Sequence, residues 1–174
     1  MPFTSRELGL LSQNCYGATD LPEWLERMRL EGPGDYGWPP APGHYAPEDT
    51  PLYERIFAQI WHQGDLYPAT YIAVPVWCEV VARFPEISHA RLLSLLSLIE
   101  TFRPLFQPRL LGEGRIGQGE IAAYEQALSQ LAGHLPRQLT LLSDSTVAGF
   151  REVESVLALL AFASGQCWAG TLLT

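Results

Sequence analysis

At 174 residues, 47% apolar and 17% charged, the chain has the length of one domain and the make-up of a globular one, which excludes a disordered or fibrous class. A chain of this size can bury about 70% of its unfolded surface and needs no disulfide or metal to hold its core. Its net charge is −8, and all 11 basic residues are arginine. That balance argues against nucleic acid as a ligand, because phosphate backbones demand cationic surfaces, and suits a basic protein partner.

The three cysteines, Cys15, Cys78 and Cys167, are odd in number and widely spaced, so they read as free thiols in a reducing compartment. The start, Met1-Pro2-Phe3-Thr4-Ser5-Arg6-Glu7, lacks the apolar run of a signal peptide, and no apolar stretch reaches membrane-spanning length. The expected location is the cytoplasm, with no membrane association.

Taken in chain order, Asp20 is placed to cap a short helix over Leu21–Leu30, with Pro22 in its first turn. The rest of residues 1–49 is expected to be irregular. Between Gly32 and His44, four Pro and four Gly exclude both helix and central strand. Tyr36, Trp38 and Tyr45 in that region predict a loop pinned by its rings. Thr50 and Pro51 open a helix to about His62, with Ile56 and Ile60 on one face and Phe57 and Trp61 beside them. Gly64 is its expected stop.

Pro68 begins a further helix to Arg83, which Pro75 is expected to kink or break. Ser88 caps a helix over Arg91–Phe102, stopped by Pro104. Residues 104–118 read as loop, 120–133 as helix, and 135–142 as a short apolar turn. Ser143, Asp144 and Ser145 offer caps for a last helix to Ala163. The tail, with Trp168, Leu172 and Leu173, is expected to dock on the domain. The predicted class is all-α: one domain, its 50–174 core built from antiparallel helix pairs, which is the architecture of a short α-solenoid.

The segment His62-Gln63-Gly64-Asp65-Leu66-Tyr67-Pro68-Ala69-Thr70-Tyr71, followed by Ala73-Val74-Pro75, resembles a pattern in small bacterial HEAT-like helical-repeat proteins. The likeness covers roughly residues 50–103. Some members of that group look like immunity proteins that neutralise a cognate toxin, and the resemblance implies that role here. This chain departs from the pattern after Pro75, where Val76-Trp77 stand in place of the usual His or Tyr.

No motif carries chemistry. Gly112-Glu113-Gly114-Arg115-Ile116-Gly117 has the spacing of neither nucleotide fingerprint. His44, His62, His89 and His134 are scattered without carboxylates at ligand spacing. Cys78 sits in an apolar helical run, as an inert thiol would. No catalytic residue, metal or cofactor is predicted. The expected function is therefore binding: an immunity-type protein that occludes a basic toxin domain. An adaptor or scaffold is the alternative, and a hydrolase with an unannounced site is a third class. Residues 1–65 carry 10 acids against 4 Arg, whereas the remainder carries 9 against 7, so the N-terminal part is the expected contact surface. Trp38 and Trp61 are the candidate anchors, with Asp35, Glu48, Asp49 and Glu54 as the acidic rim.

Overall fold

The computed structural model describes residues 2–33, 50–143, 150–166 and 170. Among them are eight helices and one two-stranded hairpin: α1 (Ser5–Leu11), α2 (Leu21–Glu31), α3 (Leu52–Ile60), β1 (Trp61–His62), β2 (Asp65–Leu66), α4 (Thr70–Arg83), α5 (Ala90–Gly112), α6 (Gln118–Ala132), α7 (Leu135–Ser143) and α8 (Phe150–Ala163). The all-α class is observed. The loop expected around Tyr36, Trp38 and Tyr45, the capping residues Asp144 and Ser145, Cys167 and the tail of Trp168, Leu172 and Leu173 lie outside the described residues.

Four elements differ from the sequence reading. The first is α1, in the part expected to hold a single short helix. It is opened by a capping box: the Thr4 hydroxyl accepts from the Glu7 N–H at 3.3 Å, and the Glu7 carboxylate accepts from the Thr4 N–H at 2.6 Å. The second is the end of α3. It stops at Ile60, and Trp61 and His62 become a strand paired with Asp65 and Leu66. Gln63 and Gly64, at φ 51° and 91°, supply the two left-handed positions of a tight hairpin turn.

The third difference is α5, which runs on through Pro104 and Pro108 to Gly112. Both prolines face solvent, where water can satisfy the carbonyls they leave without a backbone donor. Inside α4, Pro75 likewise does not end the helix. Burial of Tyr71, Ile72, Ala73, Val74, Val76 and Trp77 outweighs the one ladder bond lost there. The fourth is α7, a helix where a short turn was expected.

The core forms around α4, which is buried on almost every side and meets α1, α2, α3 and α6. Trp77, Tyr53, Tyr71 and Tyr124 are its largest fully buried side chains. The two most extensive helix interfaces are α4 with α6 and α5 with α8. The first of these joins helices two apart in the chain and the second helices three apart. Arg6 of α1 reaches Glu120 of α6, donating from Nη2 at 2.9 Å, and holds that carboxylate down at about 2.

Candidate functional site

Three places concentrate side chains that could bind or react. The first is the hairpin and what crosses it. Thr70 fixes its base: the buried hydroxyl donates to the Ile60 carbonyl at 2.6 Å and accepts from the Tyr67 N–H at 3.2 Å. The Tyr-Pro-Ala-Thr run thus ties the end of α3 to the start of α4. The turn between α1 and α2 lies over this corner, where the Cys15 N–H donates to the Gln59 carbonyl at 2.8 Å. The Tyr16 hydroxyl sits 2.9 Å from His62 Nδ1, and the two rings meet edge to face with centroids 5.3 Å apart. His62 was expected at a helix end; it stands instead on a strand beside Tyr16. The neighbouring half-buried Cys15 thiol, followed by burial, pushes the Tyr67 hydroxyl up to about 12.

The second is a buried polar network where α4, α5 and α6 meet. Glu100 is 1% exposed. Tyr124 donates to its Oε1 at 2.6 Å, and Arg103 Nε lies 3.0 and 3.1 Å from its two oxygens. Arg103 Nη1 also donates to Gln107 Oε1 at 2.9 Å, and its guanidinium lies 5.3 Å from the Tyr124 ring centre. Tyr71 packs on Tyr124 with centroids 5.2 Å apart. Burial pushes the Glu100 carboxyl above its ordinary range, and Arg103 partly restores the charged form. Each polar atom of this carboxylate meets a partner from its own chain, which is how a structural ion pair is built.

The third is a groove of about 600 Å³ along the α4–α6 seam, lined by Pro75, Cys78, Ala82, Ala127, Gln130 and His134 among others. Cys78 lies at its floor, 5% exposed, and burial pushes its thiol far up, so it is a poor nucleophile.

The residues expected to meet a partner are only partly placed. Asp35, Trp38, Glu48 and Asp49 lie outside the described residues. Glu54, half-buried in the first turn of α3, accepts a long 3.4 Å bond from the Tyr53 hydroxyl. Trp61 is half-buried and turned inward: its ring stacks on Phe57 at 5.0 Å and meets the edge of Phe102 at 6.1 Å. Its indole N–H is buried with no acceptor among the described residues. Among those residues no three His, Cys, Asp or Glu side chains converge as metal ligands, and no helix is long and apolar enough to cross a membrane. Tyr16 and Glu100 escaped the sequence reading. Glu100 and Arg103 stand three apart on one helix, a legible pair, but the partner that buries them, Tyr124, comes from another helix.

No protein-family model, curated protein or solved structure matches this chain.

Proposed function

We propose that this chain is a protein-binding module of the immunity type, which neutralises a basic toxin domain by covering it. One observation carries the reading. Between Arg29 and Arg55 the sequence has five acids, Glu31, Asp35, Glu48, Asp49 and Glu54, and no Arg or Lys; of these Glu31 pairs back with Arg27. Elsewhere among the described residues much of the acidity is internally matched: Arg6 with Glu120, Arg29 with Glu26 and Glu79, Arg103 with Glu100 and Glu125, and Arg137 with Glu86. A run of acid with no Arg or Lys inside it is what speeds encounter with a cationic protein. The resemblance of residues 50–103 to HEAT-like immunity proteins supports the same class. The stacked-solenoid form belongs to that resemblance, and the binding role does not depend on it.

The test is co-expression with, and binding to, the product of the gene adjacent to its own. Protection of the host and a complex whose association slows with salt are the expected results. Absence of a complex, or substrate turnover by the purified chain that a single substitution abolishes, overturns the reading.

A further inference from the structure

We infer that the outer face of the hairpin, with Tyr16 on one flank and Leu105 on the other, is where a basic side chain of the partner is seated. The inference rests on the binding role proposed above and names its contact surface. In the hairpin register Trp61 faces Leu66 and His62 faces Asp65. Leu66 is buried and Trp61 packs on Phe102, so the pleat turns His62 and Asp65 outward. Contacts extend that row in both directions. Tyr16, 61% exposed, stands on His62. Asp65 has Arg109 of α5 at 3.8 Å, and Leu105, one turn away on the same helix face, is 70% exposed.

Asp65 and the Tyr16 ring can together seat a cation, in a row that also holds His62 and Arg109. A guanidinium or ammonium takes an aromatic ring on one side and a carboxylate on the other. Asp65 is available for it, because the Asp65–Arg109 pair is long and half-exposed on both sides, and pairs of that kind contribute little. Arg109 also lies over the Phe106 ring, 5.1 Å from its centre. Tyr16 and Leu105 supply the apolar contact that drives most of an interface's affinity. The net charge of −8, and Glu54 at the other end of α3 from the hairpin, favour a basic partner over an acidic one.

The experiment pans random dodecapeptides, displayed on phage, against the full chain, then titrates the recovered sequences as synthetic peptides. Peptides carrying Arg or Lys beside an apolar residue are expected, with binding weakened about tenfold or more by Asp65→Asn and by Leu105→Ser. Both side chains are exposed, and unchanged melting of the variants confirms intact folding. Basic peptides that bind both variants as tightly as the parent chain, but lose affinity to Glu48→Arg/Asp49→Arg, overturn the hairpin assignment and leave the binding role standing. Recovered peptides with no preference for basic residues overturn the basic-partner reading itself.

Discussion

Glu100 shows how one buried residue can tie a three-helix junction together. Its carboxylate satisfies Arg103 and Tyr124 together in a site water does not reach. Glu100→Ala strands the guanidinium and the phenol, and removing one member of a buried pair costs about 3–5 kcal/mol. Glu100→Gln keeps an acceptor for Tyr124 and is expected to cost less; urea denaturation midpoints of the two variants check the order. His89 makes a second, pH-linked case. It is buried, its Nε2–H donates to the Phe84 carbonyl at 2.9 Å, and burial lowers its pKa from 6.5. Its folded-state pKa is therefore below the unfolded one, so the unfolded chain binds the extra proton as pH falls below about 6.5. Stability should drop from pH 7 to pH 5, and His89→Gln should shrink that drop in thermal melts at the two pH values. Neither residue's role was legible beforehand, because burial is set by side chains far away in sequence.

At the scale of elements, the hairpin is the most instructive. Two turn residues with positive φ lie between short paired strands, and the Cβ of an alanine at position 64 would come 3.4 Å from Phe102. Gly64→Ala should therefore destabilise by about 1–3 kcal/mol. Gln63→Asn, which puts the preferred Asn-Gly pair in the turn, should raise the melting temperature slightly. Gly64 was read as a helix stop, but the helical spacing of Ile56, Ile60 and Trp61 carried the predicted helix to about His62, over the first strand of the hairpin. Pro104 gave the opposite error. Proline is a reliable stop where nothing else holds a helix, yet α5 passes it because Ile99 and Glu100 before it and Leu110 after it are all buried. The Thr4-x-x-Glu7 capping box stood in the sequence, but the reading passed over it and α1 was not expected. The two apolar helices on either side of the hairpin were read as helices because their periodicity is strong, whereas their partners depend on contacts no local pattern encodes.

At the scale of the whole molecule, the order of helix pairing has a kinetic and evolutionary consequence. Because α5 packs on α8, and α4 on α6, segments distant in sequence must meet before either interface forms. Contacts of high sequence separation slow folding, since loop-closure entropy is lost before the contacts reward it. A linear array can lose its last unit and keep the rest. This chain should behave otherwise: truncation after Ser143 removes α8, uncovers the side of α5 that α8 packs against, and is expected to abolish cooperative melting of the remainder, as differential scanning calorimetry would register. A truncated chain that still melts in one sharp transition near the parent temperature would contradict that coupling. The same interlocking makes the chain hard to lengthen by duplicating a helix pair, because no pair here is a self-sufficient unit. Diversification would then have to proceed by exchanging surface side chains on a fixed frame, with Tyr16, Asp65 and Leu105 among the positions free to change.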